Sequence, residues 1–190
     1  MASQTPETVY LSFAAEINQT TTEGLLGLCS NLVNQGAKTI YLLLSSPGGN
    51  VLNGITIYNI LRALPAKVIT HNTGSIDSIA NVVFLAGEER YSSPNATFMF
   101  HGMGFDINQA TRFEEKLREL ERLDLIITDQ RKIGAIICER TDVSTEEVEK
   151  MFREAVTRDP DYAKAHGIIH DIREAKVPPG SPIHQLVFKR

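Results

Sequence analysis

Two hydrophobic periods alternate along the chain. "TVYLSFAAEI" reads as a strand, and "TTTEGLLGLCSNLVNQG" turns to helical period, with Leu25, Leu28, Leu32 and Val33 on one side. Thr21 or Thr22 is placed to cap that helix and Gly36 to stop it. "KTIYLLLSS" is almost continuously apolar, as expected of a strand covered on both faces. "PGGN" breaks it, and Val51, Ile55, Tyr58 and Leu61 then recur at helical spacing until Pro65. Ala66 to Asn72 predicts a strand, Ser78 to Ala86 a helix, and "ATFMFHG" a further strand. Strands alternating with helices predict an α/β fold on a parallel-rich sheet.

Past His101 the pattern changes. A glycine-bearing stretch, "GMGFDINQ", leads to a charged helix predicted from Ala110 to Glu139, with Leu117, Leu120, Leu123 and Ile127 as its apolar stripe. A helix of about thirty residues exceeds what a compact domain of this size needs, so it is expected to project and to find a partner. "STEEVEK" carries a capping-box start at Ser144 or Thr145. The division expected is one domain over residues 1–176 and a proline-rich tail over 177–190, loose or docked on a neighbour.

Composition narrows the function classes. A chain of 190 residues with 42% hydrophobic and 22% charged residues is ordinary for one globular domain. The net charge of −4 offers no basic face for nucleic acid. The apolar runs fall short of the ~18 residues that suggest a membrane span, and "MASQTPETVY" does not read as a signal peptide. Cys29 and Cys138 sit far apart in apolar stretches, which predicts free thiols in a reducing cytoplasm.

Three features can carry chemistry. Ser78 stands where a strand hands over to a helix, the end of an α/β sheet at which sites form. The unpaired N–H groups of a first helical turn, Ile79 among them, can face an anion. "SSPGGNV" puts two glycines after a buried strand, where a backbone N–H can approach a ligand and complete an oxyanion site with that of Ile79. His101 ends another strand and can accept a serine proton. Singly, each has a plain structural reading: a helix cap, a tight turn, a strand-end histidine. Their order along the chain adds the specificity.

In that order, with "SSPGGNVLNGITIYNIL", "GSIDSIANVVFLAG", "SPNATFMFHGM", "NQAT" and "AKAHGIIHDI", the chain resembles the proteolytic subunit of the Clp protease (ClpP), within the crotonase-like superfamily. The resemblance runs from about Val9 to Ile172. It implies repeated ββα units with a long handle helix, and Ser78 as nucleophile, His101 as general base, and Gly49 and Ile79 as oxyanion-hole donors. It implies a serine endopeptidase acting on peptides or unfolded proteins inside a homo-oligomeric ring, with no cofactor and no metal. It also brings an AAA+ unfoldase as candidate partner; the few residues before the first strand, where the family carries its axial loops, leave that docking open.

The chain departs from the family at two places in the site. Gapless alignment puts Met151 where the family's triad has its aspartate, and losing that acid can cost about 10⁴ in kcat. Glu154, Asp159 and Asp161 lie close enough in sequence to be candidate replacements, and a Ser–His dyad leaning on a backbone carbonyl or water is the other option. Asp77 stands beside the nucleophile where a small neutral residue is usual; it can cap the helix, and its charge opposes an oxyanion. The alternative functions are a catalytically impaired or inactive ring subunit and, less in keeping with a serine and a histidine at these positions, a crotonase-type acyl-CoA enzyme.

Overall fold

The computed structural model describes residues 6–102 and 113–186, with side chains in the second stretch from residue 121 onward. Along the chain run β1 (Thr8–Ala14), α1 (Gln19–Asn34), β2 (Thr39–Ser46), α2 (Val51–Ala63), β3 (Lys67–Asp77), α3 (Ala80–Phe84), β4 (Glu89–Ser92) and β5 (Thr97–Met99). They are followed by α4 (Phe113–Arg140), α5 (Thr145–Glu154), β6 (Thr157–Arg158), α6 (Pro160–Ala165), β7 (Asp171–Ile172) and β8 (Ile183–Gln185). The sheet order is β6-β5-β3-β2-β1-β8, with β4 paired to β3 and to β7. Parallel pairing joins β1 to β2, β2 to β3, and β3 to β4 and β5, while β5 and β6 run antiparallel.

The apolar runs line a single core. Ile40, Leu42 and Leu44 of β2 are buried together with Leu25, Cys29 and Leu32 of α1 and Ile57 and Leu61 of α2. Burial pushes the Cys29 thiol up to about 12, so it packs as a small apolar group. Cys138 is half-buried, and both cysteines are free.

Several boundaries differ from the sequence expectation, each for a local reason. The first helix begins a turn early because Asn18, not Thr21 or Thr22, caps it. Its side chain accepts from Thr21 N–H at 3.0 Å, and Thr21 Oγ1 accepts from Asn18 N–H at 2.9 Å. β3 runs five residues past Asn72 because it changes partner. Ile69 to Asn72 pair with β4, and Ser75 to Asp77 with β5. At the changeover polar side chains replace the ladder. Asn72 accepts from Gly74 N–H at 3.0 Å and donates to Thr97 O at 2.8 Å, and Ser45 Oγ accepts from Ser75 N–H at 3.2 Å.

The helix expected from Ser78 therefore starts at Ala80 and lasts five residues, all buried. A helix enclosed on every side has no polar face to show a period, which accounts for a run after Ser78 that is apolar except for Asn81. The tail docks on its own chain: Ile183 to Gln185 pair in parallel with Tyr10 to Ser12 of β1. α4 is a 28-residue helix, on which Leu123 and Ile127 are exposed. The side chains of Leu117 and Leu120, and residues 103–112 of the preceding stretch, lie outside the described residues. Among the described residues no helix is long and apolar enough to cross a membrane.

One buried group makes stability depend on pH. His71 in β3 is fully buried. Its Nε2 faces the Arg173 carbonyl at 3.0 Å and its Nδ1 the Tyr41 hydroxyl at 2.7 Å. A carbonyl only accepts, so Nε2 carries the proton and Nδ1 accepts from tyrosine; the neutral ring is satisfied at both nitrogens. Burial pushes its pKa down from 6.5 to about 4. The unfolded chain takes up that proton first, so this stabilisation is complete above about pH 6.5 and is lost as pH falls toward 4, by about 3 kcal/mol in all. Urea midpoints should fall between pH 7 and pH 4.5, and His71→Gln should flatten that slope. An equal slope in the variant would place the effect elsewhere.

Candidate active site

Three parallel strands end side by side, and the candidate residues follow those ends. β2 ends at Ser46 and passes into Pro47-Gly48-Gly49, β3 ends at Asp77 before Ser78, and β5 ends at Met99 two residues before His101.

The glycine turn fits against the serine. Gly48 and Gly49 both have positive φ, 91° and 139°, which side chains rarely tolerate. A Cβ at Gly48 would lie 2.6 Å from Ser78 Cβ, 2.8 Å from the Asp77 carbonyl and 3.3 Å from the Ile79 nitrogen. A Cβ at Gly49 would collide with the Ile17 carbonyl. Gly49 forms an isolated parallel bridge with Ile17, in which Ile17 donates to Gly48 O and accepts from Asn50 N–H, both at 2.7 Å. In that pattern Ile17 makes both bonds, and the Gly49 N–H is directed away from it, toward the side on which β3 ends. Among the described loop and cap bonds, neither the Gly49 nor the Ile79 N–H has a backbone acceptor.

Ser78 is held in a left-handed conformation, φ 58°, which costs a non-glycine residue about 1–2 kcal/mol. The surroundings impose it. Ser78 N–H donates to Met99 O at 2.9 Å. The buried Asn81 amide donates to Ser78 O at 3.0 Å and to Met99 O at 2.9 Å. Asn81 thus ties the serine turn to the end of β5. Its only trace in the sequence is one polar residue in an apolar run.

His101 is exposed, and its Nδ1 lies 2.8 Å from the carbonyl of Gly102. The carbonyl cannot donate, so this contact requires the proton on Nδ1 and leaves the Nε2 lone pair free, the tautomer a general base needs. Gly102 is in turn anchored to α5, its N–H donating to Phe152 O at 2.9 Å. Ser78 and His101 open onto one narrow cavity of about 20 Å³, walled by Val51, Ile79, Ile133, Ile137 and Phe152. Among the described residues no hydrogen bond joins the Ser78 hydroxyl to the imidazole; such bonds often tighten only around a substrate.

The acidic candidates have other partners. Asp159 caps α6 by accepting from Tyr162 N–H at 2.8 Å. Glu154 pairs with Arg158 at 2.9 Å, and Asp161 sits exposed in the first turn of α6. Met151 is buried in the core. Among the described residues the His101 ring contacts a carbonyl, and none of these three carboxylates. Nor do the described residues include a group of three or more His, Cys, Asp or Glu suited to a metal ion.

A sequence model of a family described as Clp protease matches residues 3–176. Among solved structures, ClpP1 from Listeria monocytogenes superposes with a TM-score of 0.74 at 26% identity, over 90% of this chain and 92% of that one. A point mutant of the same protein gives 0.73 at 26% identity, over 90% and 92%. The ClpP protease catalytic domain from Plasmodium falciparum gives 0.69 at 24% identity, over 90% and 88%, a likeness of fold.

Proposed function

The chain belongs to the Clp protease family, and from that premise we propose that it is a serine-type endopeptidase of ClpP type whose nucleophile is Ser78. The hydroxyl oxygen attacks the scissile carbonyl carbon while His101 Nε2 takes its proton. The oxyanion settles against the Gly49 and Ile79 N–H groups. The proton passes to the leaving amine, the peptide bond breaks, and an acyl-enzyme remains. Water then attacks, giving its proton to Nε2, and Ser78 is regenerated. The observation that carries this reading is the strained Ser78 turn, held by Asn81 and Met99 against a double glycine that a single Cβ would disrupt.

The reading extends to a cytoplasmic homo-oligomeric ring that encloses the serines and degrades peptides or unfolded chains. Leu123, Leu125 and Ile127 of α4 are 39%, 64% and 42% exposed, an apolar surface suited to a neighbouring subunit. A second reading, an impaired or inactive ring subunit, is favoured by the buried Met151 and by a His101 ring that, among the described residues, hydrogen-bonds a carbonyl and no carboxylate. A fluorophosphonate probe separates the two: stoichiometric labelling at Ser78 supports the enzyme, and no labelling of a chain that scatters light as a multiple of 21.0 kDa supports the inactive subunit.

A further inference from the structure

Asp77 is the charged residue nearest in sequence to the reacting groups, and the register of two strands sets its relation to His101. Asp77 of β3 is the parallel partner of Met99 of β5. Burial alternates along Thr97 to His101, Phe98 and Phe100 being buried and Met99 and His101 not, so Met99 and His101 share a face. That is also the face of Ser75 and Asp77, which flank the buried Ile76. β5 ends at Met99, and the alternation of burial carried two residues past that end puts His101 diagonal to Asp77 on one face, one strand across and two residues along. Strand spacing and rise place their backbones about 8 Å apart.

We infer that Asp77 is a positioning residue which, across that diagonal, stabilises the His101 imidazolium formed during acyl transfer, the electrostatic task of a triad acid. The inference rests on the proposed acyl-transfer reading. It needs no hydrogen bond: the Gly102 carbonyl fixes the tautomer, and Asp77 supplies the charge that a carbonyl lacks. The carboxyl itself bears the mark of the pairing. Burial raises it above its ordinary value, while the Ser75 hydroxyl and then the charge of His101 draw it back.

Among the described residues, other charges around the site do not duplicate it. On β6, Arg158 is opposite Phe98 and bound to Glu154. On α4, Asp129 is paired with Lys132. On β2, Ser45 offers a neutral hydroxyl to Ser75 N–H. Glu16, which packs against Gly49, lies on the glycine side of the site.

Two measurements test the inference. First, the Asp77 carboxyl, followed by carbon NMR, should titrate at higher pH in His101→Gln than in the unaltered protein; an unchanged titration would overturn the pairing. Second, a charge lost at about 8 Å between protein-like and water-like screening should lower kcat about 2- to 30-fold. Asp77→Asn should show that drop with KM unchanged, Asp77→Glu should recover most of it, and Glu88→Gln, an exposed change just before β4 at the other end of the strands, should leave kcat alone. Unaltered kcat in Asp77→Asn, or equal loss in Asp77→Glu, would overturn the positioning role. If the unaltered protein neither cleaves peptide nor takes the fluorophosphonate, the endopeptidase reading has failed, and the titration still decides the pairing.

Discussion

Ser78→Ala is expected to remove peptide cleavage and fluorophosphonate labelling while leaving the fold and the assembly intact. The size of the loss reads out how well His101 is supported. In a serine protease whose triad has been dismantled, removing the nucleophile costs about 2 × 10⁶ in kcat and removing the acid alone about 3 × 10⁴. A site that works without any substitute for its acid therefore has roughly 70-fold left to lose. A site whose carbonyl and nearby carboxylate fully replace the acid has on the order of 10⁶ to lose. The Gly102 carbonyl at 2.8 Å from Nδ1 supplies the orientation but only a partial charge, which places the expected loss between those limits. Steady-state cleavage of a fluorogenic peptide measures it. A Ser78→Ala protein within about tenfold of the original would sink the assignment, and damage from Ser75→Ala instead would show that the wrong serine had been chosen.

Arg90→Ala is expected to produce the largest loss of stability, about 3–5 kcal/mol. Arg90 in β4 is 6% exposed and spends its guanidinium on four backbone carbonyls. Nε donates to Ile168 O at 2.7 Å, Nη1 to Gly87 O at 3.2 Å, and Nη2 to Arg140 O and Gly167 O, both at 2.9 Å. Those carbonyls belong to the turn after α3, the last residue of α4 and the turn after α6. One side chain thus caps three helix ends, where the backbone is negative and short of donors. Burial, and then the charge of Arg140, push the Arg90 pKa down to about 10, so the group stays charged at neutral pH. Alanine would leave the Ile168, Arg140 and Gly167 carbonyls without this donor, while Gly87 O keeps its bond from Arg140 Nη2 at 3.0 Å. Lysine, with three donors on one nitrogen, cannot span them and should restore less than half. Since a domain has only about 5–15 kcal/mol in total, the alanine variant should unfold at much lower urea. A shift worth under about 1 kcal/mol would show that water or Arg140 takes over the capping.

Sequence periodicity made the main elements legible. β1 and β2 follow their apolar runs, α2 follows its helical spacing from Asn50 to Pro65, and Ser144 caps α5 by accepting from Glu147 N–H. These depend on interactions within a few residues, where pattern and propensity act directly. The strand-end positions of Ser78, Gly49 and His101 were legible in the same way, because a parallel sheet brings its carboxyl ends together whatever else the chain does.

Tertiary structure decided what depends on partners distant in sequence. β3 continues beyond Asn72 only because Thr97 and Ser45 are present to meet its polar groups. The left-handed turn at Ser78 exists because Met99 and Asn81 hold it. The tautomer of His101 follows from Gly102, whose position α5 fixes through Phe152. The same holds for Arg90, whose acceptors Arg140, Gly167 and Ile168 are contributed 50 to 78 residues later. A buried polar group must be satisfied by whatever the fold places beside it, and nothing in its own neighbourhood of sequence records which group that will be.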